Sequence, residues 1–210
     1  MKKLLTLTLA GLLAVGLSGC GLHENTATPE KPAIYLYPEE ETQVSVTLEL
    51  DGTFTSTYPD YGEGWTVTAA PDGTLTDPET GRTYYCLFWE GIIDRQFDLS
   101  AGFCVAGEDT AAFLEDALAR LGLTEREANE FIIYWLPRME GNPYNLISFQ
   151  IDAYTDAAEL TIDPAPDTLI RVFMTWKGLE QPVEIPAQEL TAPTRTGFTA
   201  VEWGGAELGK

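Results

Sequence analysis

From Gln43 to Leu50 the chain alternates without a break. Val44, Val46, Leu48 and Leu50 fall on one side, Ser45, Thr47 and Glu49 on the other. A period of two is that of a strand with one face buried and one face wet, and a one-residue slip would turn every valine into solvent. Asp51-Gly52 follows, a dipeptide suited to a two-residue hairpin, which predicts a return strand over Thr53–Thr57. Gly64–Ala70 alternates again through Trp65, Val67 and Ala69, and Pro71-Asp72-Gly73 turns the chain back through Leu75. Thr83–Trp89 (TYYCLFW) is apolar on both faces, as a central strand is.

Helical spacing enters only midway. Leu114, Ala117, Leu118 and Leu121 recur at i, i+3, i+4 and i+7, with Asp109 before them and Gly122 after. Thr124-x-x-Glu127 is a capping box that starts a second helix. Ala128, Phe131, Ile132 and Trp135 keep helical spacing, but Phe-Ile-Ile-Tyr-Trp has strand chemistry. The expectation is a short helix to about Glu130, a strand over 131–136 and a return strand over Asn145–Ile151. Glu159–Ile162, Thr168–Trp176 and Phe198–Trp203 read as further strands, and the proline-spaced Pro182–Pro193 as an extended surface segment. Together these predict an α+β fold: a mainly antiparallel sheet with one or two short helices inserted midway.

The N-terminus gives an address. Met1-Lys2-Lys3 is basic, Leu4–Leu17 is an apolar run too short to span a bilayer comfortably, and Leu17-Ser18-Gly19-Cys20 follows. This pattern resembles the lipobox signal of bacterial lipoproteins. The resemblance implies removal of residues 1–19 and acylation of Cys20 with diacylglycerol and palmitate-class chains. Its partner would then be the lipid bilayer, at the extracytoplasmic face of the bacterial cell membrane. Two acyl chains give stable anchoring where one does not. Residues 20–32 are small, polar and aperiodic, as a tether is, and residues 33–205 form the expected β-rich globular domain.

Charge and histidine content exclude whole classes of function. The chain carries 12 basic and 33 acidic residues, a net −21; loss of Lys2 and Lys3 with the signal would make it −23. So negative a surface repels phosphate backbones, and nucleic acid is not an expected partner. An apolar share of 44% supplies a core that a disordered acidic chain lacks. His23, the single histidine, lies in the tether, which leaves no base for Ser-His or Cys-His dyads and no histidine for a zinc site. No GxSxG, HExxH, P-loop, GxGxxG after a strand or CxxC occurs, and no cofactor or metal is expected. Asp51-Gly52 and Asp72-Gly73 lack the DxDxDG spacing of a calcium loop.

Several residues remain as site candidates. Glu90 ends an apolar strand before Gly91, where the backbone could open a cleft, with Arg138 as a charge partner; the competing reading is two strand-end charges in water. Trp89 and Trp135, among five tryptophans and nine tyrosines, could stack on a sugar ring or simply fill the core. Cys86 and Cys104 are the thiols left once Cys20 is acylated; a disulfide and two separately packed thiols are both open. KPAIYLYP, TYYCLFWEG and YNLISFQ are similar to segments of a group of secreted bacterial proteins with no established activity. That resemblance covers most of residues 31–205 and implies a shared fold, with no catalytic residue to carry over. The function expected is a non-enzymatic extracytoplasmic domain binding a glycan or protein ligand. The alternative is a carboxylate-based glycan hydrolase, whose chemistry needs only two acidic residues.

Overall fold

The structure is a computed structural model and describes residues 28–209. The expected signal (residues 1–19), Cys20 with its expected acylation, and His23 lie outside the described residues. Three layers stack: a five-stranded sheet, a seven-stranded sheet and a pair of helices. In chain order the strands are β1 (Glu30–Tyr37), β2 (Thr42–Leu50), β3 (Gly52–Tyr58), β4 (Trp65–Ala69), β5 (Leu75–Thr76), β6 (Thr83–Tyr84), β7 (Leu87–Ile93) and β8 (Phe103–Ala106). The helices α1 (Thr110–Arg120) and α2 (Glu125–Met139) follow, then β9 (Tyr144–Phe149), α3 (Ile151–Ala157), β10 (Ala158–Asp163), β11 (Thr168–Leu179) and β12 (Thr199–Glu207). The seven-stranded sheet runs β3-β7-β1-β12-β11-β9-β8 and the five-stranded sheet β10-β2-β4-β5-β6. The fold is α+β and mostly antiparallel, as the alternation predicts.

The seven-stranded sheet is covered on both faces through most of its width, which is why β1 carries no charged residue from Pro32 to Tyr37. Ile34 and Leu36 face the five-stranded sheet, where Val44, Val46 and Leu48 of β2 meet them in one core. Ala33 and Tyr35 face the helices, joining Leu114, Leu118, Phe131 and Trp135 in a second core.

The Asp51-Gly52 step corrects the hairpin expectation. β2 pairs with β4 and β10, whereas β3 pairs with β7 in the other sheet. The dipeptide is a corner at which the chain changes sheets. Gly52 is required because a Cβ there would lie 1.9 Å from the Ile92 carbonyl oxygen. By contrast, the Pro71-Asp72-Gly73 turn does join paired strands, with Ala69 opposite Leu75.

The 131–136 segment is a second correction. It belongs to α2, which runs unbroken to Met139 behind its capping box. Phe131, Trp135 and Met139 are buried on one side while Ile133 is 74% exposed, a helical division that a strand could not make. The expected return strand ends at Phe149, and residues 151–157 form α3, which inserts Tyr154 between the sheets. Likewise TYYCLFW splits into β6 and β7.

β11 and β12 are consecutive yet parallel. A parallel pair requires a long return crossover, and the proline-spaced segment is that crossover. It is pinned at intervals: Pro186 accepts from the Gly102 N–H, Gln188 pairs with both main-chain groups of Phe149, and Leu190 is buried. Arg195 then binds the Gly122 carbonyl and the buried Glu127, which ties the crossover to the α1–α2 junction.

Candidate functional site

The helix pair covers β8, β9, β11, β12 and β1 but stops short of β7 and β3. On β7 the residues Leu87, Trp89 and Ile93 point into the core between the sheets. The alternate residues Phe88, Glu90 and Ile92 continue the helix-side face with no helix above them. The result is a cleft of about 470 Å³, within the range of small-molecule sites. Phe88 and Glu90 form its floor and Tyr134 of α2 one wall. Tyr58 of β3 stands opposite Phe88, and Tyr84, Tyr85 and Cys86 close one end. Tyr58 and Tyr85 are 53% and 51% exposed, and Tyr58 meets Tyr84 edge-on with ring centroids 5.5 Å apart.

The start of β1 completes the cleft. One extra residue is inserted between Glu30, opposite Gly205, and Ala33, opposite Trp203, forming a bulge at Lys31-Pro32. Pro32 has no N–H to lose from the ladder. Lys31 takes a left-handed conformation (φ 62°), which costs a non-glycine residue about 1–3 kcal/mol. The bulge turns the Lys31 N–H onto Glu90 Oε1 at 3.3 Å and places its Nζ 5.3 Å from the Phe88 ring centroid. Glu30 accepts from the Tyr134 hydroxyl at 3.0 Å and pairs with Arg138 at 3.9 Å. Arg138 lies over the Tyr134 ring, 4.1 Å from its centroid. Burial and the bond to Glu30 push the Tyr134 hydroxyl up to about 12.

A second hollow of about 190 Å³ adjoins through Tyr85, floored by Tyr35 and Tyr37 and rimmed by Asp72 and Arg126. Tyr35 donates to Glu130 at 2.6 Å. Gly73, at φ 86°, rests on the Tyr37 ring, which a Cβ would approach to 2.7 Å. Aromatic surface is therefore continuous from Tyr58 to Tyr37.

Of the sequence candidates, Glu90 does line the cleft. Arg138 reaches Glu30 rather than Glu90, so the expected Glu90–Arg138 pairing is replaced by one through β1. Trp89 and Trp135 are fully buried, as are the other three tryptophans, so none offers a ring to a ligand. Cys86 and Cys104 are free thiols. Cys86 immediately precedes β7 and Cys104 lies on β8, five strand positions away across the sheet, roughly 24 Å at the usual strand spacing and far beyond disulfide reach. Burial pushes the Cys86 thiol up to about 11. The cleft tyrosines, Phe88, Glu30 and Lys31 were not singled out by sequence. The signal available was tyrosine, rather than leucine or isoleucine, clustered in TYYCLFW.

A larger hollow of about 520 Å³ lies between the crossover and the start of α3. Its two glutamines are occupied, Gln188 with Phe149 and Gln150 with the Asp98 carbonyl and Ser148, and its lining contains no tyrosine, tryptophan, lysine or arginine. Among the described residues no three of His, Cys, Asp and Glu come together as a metal site requires. No protein-family model matches the chain, and no curated protein or solved structure matches it significantly.

Proposed function

We propose that this chain is a lipid-anchored, extracytoplasmic binding protein whose tyrosine-lined cleft takes a glycan ligand. The address rests on Leu17-Ser18-Gly19-Cys20. The binding reading rests on one observation: half-exposed tyrosines surround an open cleft whose floor alternates an aromatic ring, Phe88, with a carboxylate, Glu90. Pyranose rings offer C–H faces to aromatic rings and hydroxyls to carboxylates and phenols. Lys31 lines the cleft, Glu30 beside it holds the cleft's Tyr134, and both stand at the end of the expected tether. Glu30 is ten positions after Cys20, so acylation would hold the cleft within about 35 Å of the bilayer. The ligand is accordingly one presented close to the membrane.

Glycan-array binding of the purified protein tests this, with Tyr58→Ala and Tyr85→Ala as site variants. Both side chains are half exposed, so their loss spares the core. Binding should fall several-fold or more in each variant. Binding unchanged in both would overturn the reading. New reducing ends, abolished by Glu90→Gln, would establish the hydrolase alternative in its place.

A further inference from the structure

We infer that the cleft selects glycans carrying a free amine, and that Lys31 is a tethered stand-in for that amine. The inference rests on the glycan reading and names its substrate class.

Phe88 and Glu90 are two apart on β7 and so lie on the same face, roughly 7 Å from one another. A ligand ammonium between them would face the ring's negative π surface and the carboxylate together. The protein itself keeps an ammonium over that ring: Lys31 Nζ, 5.3 Å from the Phe88 centroid. The bulge and left-handed backbone at Lys31 hold it there, and strain of this kind is characteristic of binding sites.

Glu90 itself is not neutralised by a paired cation. Its hydrogen-bond donor is the uncharged Lys31 main-chain N–H, and among the described residues no lysine or arginine side chain forms an ion pair with it. Of the arginines nearby, Arg138 is held by Glu30 and the Tyr134 ring, and Arg126 pairs with Glu130. The net charge of −21 opposes an acidic glycan and favours a basic one by long-range attraction. A ligand amine thus displaces the Lys31 side chain from Phe88, while Glu90 gains a charged donor.

Titration calorimetry of the purified protein with a glucosamine oligomer and its N-acetylated counterpart, at mildly acidic pH, decides the matter. The free-amine oligomer should bind about tenfold more tightly, the usual return from one charge-assisted hydrogen bond. Glu90→Gln keeps an acceptor for the Lys31 N–H and should erase that preference. Lys31→Met removes the competing ammonium and should tighten the amine oligomer several-fold. Equal affinity for the two oligomers, or weaker amine binding in Lys31→Met, would overturn the inference and leave the glycan reading standing. Failure of both oligomers alongside array binding of other glycans would also overturn only the inference. Failure of every glycan would remove the reading beneath it.

Discussion

Arg171 and Glu202 stand side by side on the parallel pair β11–β12, both buried at the interface between the sheets. Arg171 Nε donates to Glu202 Oε2 at 2.6 Å, Trp89 Nε1 donates to Glu202 Oε1 at 3.0 Å, and the guanidinium lies 4.7 Å from the Tyr154 ring centroid. Arg171→Met retains much of the stem volume but leaves a fully buried carboxylate with one donor, the Trp89 indole. Breaking a buried pair from one side costs about 3–5 kcal/mol. With a urea m-value of about 2 kcal/mol/M for a domain of this size, the unfolding midpoint should drop by about 2 M. Arg171→Met combined with Glu202→Gln removes the charge and keeps an oxygen for Trp89. That double variant should recover at least half of the loss, ending about 1–2 kcal/mol below the parent, near the value of a single lost hydrogen bond. Urea titrations followed by tryptophan fluorescence give all three midpoints. A single-variant shift under about 0.5 M, or a double variant no better than the single, would show that an unpaired buried charge is not what the arginine prevents.

Alkali should unfold the protein. Burial raises the Tyr35 and Tyr154 hydroxyls well above the ordinary phenol value. The folded state therefore keeps protons that the unfolded chain loses above about pH 10, and stability, fully present below that pH, falls at about 1.4 kcal/mol per pH unit for each. Tyr134, pushed up to about 12, and the raised Tyr37 add smaller amounts because solvent screens them. Denaturant midpoints that stay flat from pH 9 to 11 would contradict this. Arg195→Ala should strip Glu127 of its ion pair and free the crossover, costing about 2–4 kcal/mol and exposing residues 180–197 to limited proteolysis; a cleavage pattern identical to the parent's would refute it. Alkylation in denaturant without reductant should label both Cys86 and Cys104, whereas in the folded protein the part-exposed Cys104 should react well before the buried Cys86. Protection of both in denaturant would reveal a disulfide.

Much of the fold is legible wherever one physical signal acts alone. Val44, Val46 and Leu48 alternate, and all three are core. The Thr124–Glu127 capping box is formed as written, with the Thr124 N–H on Glu127 Oε2 at 2.8 Å. Misreadings arise where two signals compete. In Phe131–Leu136 strand propensity opposed helical spacing, and spacing prevailed because Phe131, Trp135 and Met139 bury against the sheet while the capping box fixes the start. At Asp51-Gly52 a hairpin signal was genuine local chemistry, but the requirement was for close approach to the Ile92 carbonyl rather than for a turn. Strand pairing itself is not encoded locally. Nothing in β11 or β12 announces that they run parallel, although the proline-spaced segment between them is too long for a hairpin.

The cleft illustrates a different limit. TYYCLFW is apolar on both faces, as a central strand is, and β7 does lie inside the sheet between β3 and β1. What the pattern cannot convey is how far the helix layer reaches. Both α1 and α2 pack over the middle strands, and the same helix-side face that is core at Ala33 and Tyr35 becomes open surface one strand further, at Phe88 and Glu90. A face of that kind, left to isoleucine and leucine, would be an adhesive patch. Here it carries two half-exposed tyrosines, Tyr58 and Tyr85, a carboxylate, and a lysine held over Phe88 by a strained bulge. Such substitutions make an uncovered sheet face tolerable in water, and they are also the groups that recognise a polar ring. The cleft therefore arises from a mismatch in width between a seven-stranded sheet and two helices, and the proposed binding would draw on the same residues that keep the mismatch soluble.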